Sequence, residues 1–295
     1  MINSGYESSK KLTLVTSTEA IERHWLYGKN SSVGKTIRDA LLKGGEDPDS
    51  LSREKIEALS PIDEFHCLGP EATLDMARYL GVERDAHVLD IGSGIGGPSR
   101  RLAIQYGCRV TGIDLTKQHY EISVALADRM RLGRSQVDYH HADAVSMPFA
   151  KASFDFVWIQ VASTNIVNRE KLYFEIYRVL KPGGLLGIFD IFAGDLPIHF
   201  PVPWAYDEST SALLSQENTD HALEKAGLRV IRRHDVTDRG LQWFSTQTDM
   251  ALRHGGPPAL GFHVLLPDWG LMAYNQTRNI IEKRIFIGYR VAERI

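Results

Sequence analysis

Cysteine is scarce in this chain: Cys67 and Cys108 are the two in 295 residues. Two thiols are too few for a disulfide framework or a thiolate metal centre, and each is open to two readings, buried and inert or reactive. Positive charge is not in excess either, the formal net charge being -3. Without a basic surplus to meet a phosphate backbone or an anionic lipid surface, neither nucleic acid nor membrane is expected as a partner. Long apolar runs are also missing. No stretch reaches the ~18 apolar residues that cross a bilayer, and the opening MINSGYESSKKLTLVTSTEA has no signal-peptide core. The cytoplasm is the expected compartment. There is no internal repeat and no low-complexity tract.

What is present is an ordinary globular composition, 43% hydrophobic and 24% charged, long enough for one large core and a modest cap. The first segment reads as helical over 18–28, closed by Gly28, and over 33–42, stopped by Gly44 and Gly45. Leu74, Ala77 and Leu80 recur at helical spacing before Gly81. From His87 the pattern changes to short β-branched and aliphatic runs. Strands are predicted at 87–91, 109–113, 137–141, 154–159, 185–191 and 228–234, with helices at 99–106, 118–132, 171–180 and 217–226. Residues 238–283 interrupt this alternation with Gly-Pro-rich and helical sequence, and a last strand resumes at 284. The alternation predicts an α/β fold: a Rossmann-like, doubly wound, mostly parallel seven-stranded sheet with helices on both faces and a helical cap. The expected organisation is an N-terminal helical cap (1–70), a ligand-binding core (71–237), a cap insertion (238–283) and a final core strand (284–295).

The central signal is VLDIGSGIGGPSRRLA, in which Gly92, Gly94 and Gly97 satisfy G-x-G-x-x-G between a strand and a helix. Such glycines permit a tight turn and close approach of backbone to ligand, beside the free amides of a helix N-terminus. Nicotinamide and flavin domains share this spacing, so it does not name a ligand. Three acidic residues narrow the choice. Asp90, just ahead of the glycines, would crowd a pyrophosphate but suits a cationic ligand without phosphates. Asp114 ends the second strand, where a carboxylate can accept both ribose hydroxyls. Asp143 follows the third strand and can accept from an adenine amino group. Together they describe an adenosine ligand with a cation in place of a diphosphate, which is S-adenosylmethionine.

VLDIGSGIGGPSRRLA, VTGIDLTKQHYEISVALA, HHADAVSMPF, FDFVWIQ and VLKPGGLLGIFDI, in that order, resemble the successive motifs of class I S-adenosylmethionine-dependent methyltransferases. They are especially similar to the type 11 branch acting on sarcosine, dimethylglycine, phosphoethanolamine and related small molecules. The resemblance implies that Gly92, Ser93 and Gly94 pass beneath the methionine part of the cofactor. It also implies that Asp114 holds the ribose, with Leu115 over the adenine, and that Asp143 and Ala144 take the adenine edge. Gln160 would face cofactor and acceptor, and Lys181-Pro182-Gly183-Gly184 would turn into the fifth strand.

Methyl displacement from a sulfonium needs alignment and exclusion of water more than it needs a metal. No ligand cluster is apparent, and His140 and His141, adjacent on a strand, point to opposite faces. A base is required only where the nucleophile must lose a proton. The resembling amine methyltransferases often carry a histidine after the fourth strand; this chain reads QVASTNIVNRE, with Asn165 in that region. Asn165 either orients an acceptor or serves a turn. His66, in PIDEFHCLGPEAT, either polarises an acceptor or completes a buried network. His199, Trp204 and Tyr206 follow the fifth strand, at the ligand edge, and Tyr206 is the further acid or base candidate. Trp25 and Tyr27 could cover the site, though packing is the plainer role, as it is for His254 and His263. The expected function is methyl transfer to a small molecule, with nitrogen as first choice. Carbon of an isoprenoid-type or other apolar product, and oxygen, are the alternatives. A non-catalytic cofactor-binding protein is the alternative from another class, and a homo-oligomer is left open.

Overall fold

The computed structural model describes residues 33–49, 51–53, 56–253, 256 and 260–295. The helix expected over 18–28, with Trp25 and Tyr27, and His254 lie outside the described residues. Helices α1 (Val33–Lys43), α2 (Ile56–Asp63) and α3 (Pro70–Leu80) precede the sheet. Then follow β1 (His87–Ile91), α4 (Gly97–Gln105), β2 (Arg109–Asp114), α5 (Lys117–Arg129), β3 (Val137–His141) and β4 (Phe154–Gln160). The second half runs α6 (Arg169–Val179), β5 (Leu180–Ala193), α7 (Gln216–Lys225), β6 (Leu228–Asp235), α8 (Thr237–Arg253), α9 (Phe262–Leu265), α10 (Trp269–Ile281) and β7 (Ile285–Arg294).

The strands form one seven-stranded sheet in the order β3-β2-β1-β4-β5-β7-β6. Pairing is parallel from β3 through β5, while β7 runs antiparallel to both β5 and β6. Alternating side chains feed two cores, as a sheet covered on both faces requires. Val88 and Trp158 join the core under α3 and α4, whereas Leu89, Val157 and Ile159 join that under α6 and α7. Helix starts follow local chemistry: Asn168 accepts from Lys171 N to cap α6, and Ser215 accepts from Asn218 N to cap α7. The Lys181–Gly184 turn is a bulge inside β5, lying between the pairs Phe154–Leu180 and Phe156–Leu185.

The interruption of 238–283 consists of α8, α9 and α10, inserted between the neighbouring strands β6 and β7. Within it α9 packs on α1 and α2, so early and late helices meet one another at the same end of the sheet. No helix among the described residues is long and apolar enough to cross a membrane.

Candidate active site

Strand order reverses between β1 and β4, and their carboxyl ends open a crevice. A single cleft occupies it. Asp90, Gly92, Ser93 and Gly94 line it from β1 and its loop, and Asp114 and Leu115 from the end of β2. Asp143 and Ala144 follow β3, Gln160 ends β4, and His66 and Asn165 line the same cavity. Residues chosen from separate motifs are thus brought together by the parallel register of β1, β2 and β4. Two glycines show different needs. Gly94 has φ 52 with open space where a Cβ would stand, so the backbone conformation asks for glycine. A Cβ on Gly97 would run into the Asp63 carbonyl, so there the need is room.

Asp114 is buried at this cleft. Its Oδ2 accepts from Gly94 N at 2.8 Å, its Oδ1 accepts from Thr116 N at 2.8 Å, and His119 Nδ1 lies 3.6 Å away. Burial opposes ionisation, yet His119 and these two amides hold the carboxyl below its usual value. Each oxygen keeps a second lone pair for a ligand hydroxyl. Asp90 is the opposite case: burial pushes it up to about 7, offset only partly by Ser99 Oγ donating at 2.5 Å. Asp143 is exposed at the rim and bends the chain by accepting from Val145 N at 3.0 Å. Gln160 Oε1 accepts from Trp158 Nε1 at 2.7 Å and from Thr73 Oγ1 at 3.3 Å. That orientation leaves Gln160 Nε2, a buried donor without a partner, on the cleft side chain.

A charged network not anticipated from the sequence supports the cleft from behind. Arg101 Nε donates to Glu64 Oε1 at 2.5 Å and Arg101 Nη1 to Glu57 Oε1 at 2.5 Å. Glu64 Oε2 takes Thr73 Oγ1 at 2.6 Å and lies 3.4 Å from His66 Nε2, off the line of a good hydrogen bond. His66 Nδ1 is 3.2 Å from the Cys67 carbonyl, so Nδ1 is the protonated nitrogen of that contact. Asp63, also buried, pairs with Arg100 Nη2 at 2.6 Å. Both arginines sit in the glycine-loop motif itself (GPSRR). The tertiary fold turns them inward against α2.

A second, smaller pocket adjoins the cleft, and Phe65, His66 and Val161 line both. Its walls are aromatic: Phe189, Trp204, Phe244, Phe262 and Trp269. The Phe65 and Phe262 rings are 4.4 Å apart, and Phe262 meets Trp269 edge-on at 4.8 Å. Gln276 also lines it, buried, with its Oε1 lacking a partner. No carboxylate is among the described lining residues. Val161, at the neck, has φ 51, a left-handed conformation that a β-branched residue adopts only under constraint.

Of the three residues proposed for catalysis from sequence, His66 and Asn165 line the cleft and Tyr206 does not. Asn165 is buried and spends Nδ2 on the carbonyls of Trp204 and Thr210, both at 2.8 Å, tying down the loop after β5. Tyr206 lines neither pocket; it is 43% exposed and lies beside Asp268. Trp204, two residues earlier, is buried. His199 pairs with Glu282 at 3.0 Å instead of lining the acceptor side. His140 binds Asp138 at 3.1 Å and His141 the Leu115 carbonyl at 2.8 Å. Among the described residues no group of three or more histidine, cysteine or acidic side chains could hold a metal. The missed contributors were Asp63, Glu64, Arg100, Arg101, Val161 and Gln276. The one sequence signal for any of them was the run PIDEFHC, which holds Asp63 and Glu64.

Residues 89–188 match the model of the methyltransferase domain family. The methyltransferase GfsG of Streptomyces halstedii is 31% identical over 221 residues, covering 72% of this chain and 73% of that protein. A sterol 24-C-methyltransferase of Schizosaccharomyces pombe is 29% identical over 181 residues, covering 57% of this chain and 47% of that protein. The chain thus spans about half the length of the sterol methyltransferases it matches. Among solved structures, the geranyl diphosphate C-methyltransferase of Streptomyces coelicolor superposes with a TM-score of 0.68 at 18% identity, covering 94% of this chain and 98% of that one. The fold, the order of the motifs and these likenesses agree: the chain belongs to the class I S-adenosylmethionine-dependent methyltransferases.

Proposed function

We propose that this protein methylates an apolar small molecule lodged in the aromatic pocket, at carbon or at oxygen. The observation that carries the reading is the pocket itself. It joins the cofactor cleft at His66 and Val161, and its lining is aromatic with Gln276 and His66 as polar points. An ammonium-bearing acceptor would find no carboxylate there among the described residues, which moves the weight from nitrogen, the first choice on sequence, to carbon or oxygen. An aromatic box suits a hydrocarbon frame and any cationic character that develops on an alkene under attack.

The cleft fits S-adenosylmethionine on its own residues: Asp114 for the ribose, Asp143 and Ala144 for the adenine edge, Leu115 over the ring. The unpartnered Gln160 Nε2 is a donor in search of an acceptor, as the cofactor's carboxylate is. Bound there, the cofactor supplies an activated methyl group on a sulfonium. The protein's part is positioning and dryness. Gln276 Oε1 is placed to accept from a hydroxyl of the acceptor, which would fix its register in the pocket. His66, at the neck, is the group that can exchange a proton with an acceptor atom there. The helices before residue 70 and those of 238–283 act in this reading as the cap that excludes water.

The test is transfer of labelled methyl from S-adenosylmethionine by the purified protein to three acceptor sets: prenyl alcohols, phenols and small amines. Organic-extractable label from the first two supports the proposal. Label appearing only in small amines sinks it. Binding of S-adenosylhomocysteine without transfer to any set would favour the non-catalytic alternative.

A further inference from the structure

Helix α10 turns a row of amides inward: Asn275, Gln276 and Asn279 are all buried. Two of them hold the loop after β5. Asn279 Oδ1 accepts from His199 N at 2.8 Å and its Nδ2 donates to the His199 carbonyl at 3.0 Å, while Asn275 Nδ2 donates to the Pro201 carbonyl at 3.0 Å. Gln276 does no such work. It is 1% exposed, its Oε1 has no partner, and its amide makes no hydrogen bond among the described residues. A buried carboxamide left unpaired costs its desolvation, which a leucine of similar size would avoid. Packing alone therefore gives no reason for a glutamine at this position.

The amide lines the aromatic pocket and not the cofactor cleft. Phe65, His66 and Val161 are common to both, so an atom that receives the methyl group lies at that neck. Gln276 stands off the neck, in a lining shared with Phe244, Trp269 and Ile287. Apart from His66 and the Cys67 thiol, the described lining holds no titratable group. A neutral amide in such walls suits an uncharged partner, because an ammonium or a carboxylate would be buried there without a counter-charge.

We propose that Gln276 determines acceptor specificity by holding a neutral hydroxyl that is not the atom methylated. The inference rests on the aromatic pocket being the acceptor site, as read above, and narrows it. The acceptor is an apolar molecule whose hydroxyl is a handle: it donates to Gln276 Oε1, away from the neck, and keeps its O–H bond through the reaction. The methyl group goes to a second atom of the same molecule, at the neck. An acceptor with a single hydroxyl is therefore methylated at carbon, since one oxygen cannot serve at both places.

The experiment uses two acceptors with one hydroxyl each, geraniol and phenol, and the deoxygenated hydrocarbon of geraniol, with labelled S-adenosylmethionine and products identified by mass spectrometry and NMR. The unaltered protein should give a carbon-methylated product with the hydroxyl free, and should prefer geraniol to its hydrocarbon by about tenfold or more in kcat/KM. Gln276→Leu should abolish that preference through a raised KM for geraniol, leave the hydrocarbon unchanged, and keep S-adenosylhomocysteine affinity within twofold. Its melting temperature should equal or exceed the parent's, since the unpaired amide is gone. A methyl ether of geraniol or of phenol as the main product would overturn the inference while leaving the acceptor pocket in place. So would a preference retained by Gln276→Leu, or a marked loss of stability in it. The products of the unaltered protein decide the matter even where the variant misfolds. Transfer to none of the three acceptors is a different result: it removes the reading of the pocket, and the handle with it.

Discussion

Replacing Asp114 by alanine perturbs two things whose sizes can be worked from the contacts. The carboxylate accepts from Gly94 N and Thr116 N, each at 2.8 Å, and so ties the glycine loop to the end of β2. Hydrogen bonds to a charged group contribute about 1.5–3 kcal/mol each, and the freed amides recover part of this from water that enters the cleft. A stability loss of roughly 2–4 kcal/mol is expected in urea denaturation. The remaining lone pairs are those assigned to the ribose. Their loss should cost about 1.5–3 kcal/mol of binding, or roughly 10- to 150-fold in Kd for S-adenosylhomocysteine. Calorimetry at pH 7.5 is the assay, since Asp114 is held below its usual value and is ionised there. Asp114→Asn should recover little, because its amide group turns a donor toward one of two backbone donors. A change under about threefold in a folded Asp114→Ala protein would refute the ribose assignment.

Three further outcomes follow from the same contacts. Asp90 keeps its proton to about pH 7 in the folded protein, against an ordinary value of 3.8. The folded state therefore holds the extra proton between those limits, and stability falls as pH rises from about 4 to 7, by on the order of 4 kcal/mol. Asp90→Asn lacks this dependence, so its melting temperature should gain on the parent across that window; a constant gap would contradict the burial argument. Asn165→Ala should lose about 1–3 kcal/mol in denaturation by orphaning the Trp204 and Thr210 carbonyls, with S-adenosylhomocysteine affinity kept within twofold. Loss of affinity without loss of stability would return Asn165 to the binding role. Burial pushes the Cys67 thiol up to about 12 and the Cys108 thiol to about 11. At pH 8 a thiol reagent should therefore label neither in the native protein and both after denaturation, whereas rapid native labelling of either would show it accessible.

The sheet, its motif order and the cofactor cleft were legible in the linear sequence because each depends on local chemistry. Strand and helix periods differ, glycine is demanded where Gly94 takes φ 52, and the carboxylates Asp90 and Asp114 stand at strand ends. In a parallel sheet those ends fall side by side, so residues chosen one motif at a time converge without any long-range knowledge. The acceptor side has no such periodicity. Its walls come from the link between α2 and α3, β5, the loop after β5, α8, α9, α10 and β7, and nothing in their spacing says which aromatic faces inward. Trp204 turns into the pocket while Tyr206, two residues on, stays 43% exposed. Asn165 looked available and is consumed by two distant carbonyls. Arg100 and Arg101, within the glycine-loop motif, are buried against Asp63 and Glu64 at the end of α2. Local propensity and alternation determined the fold and the cofactor end of the site. Which polar atoms are already paired, and which side chains close the second pocket, was decided only when α2 and the late helices packed over the sheet, since burial and pairing belong to contacts between segments far apart in the chain.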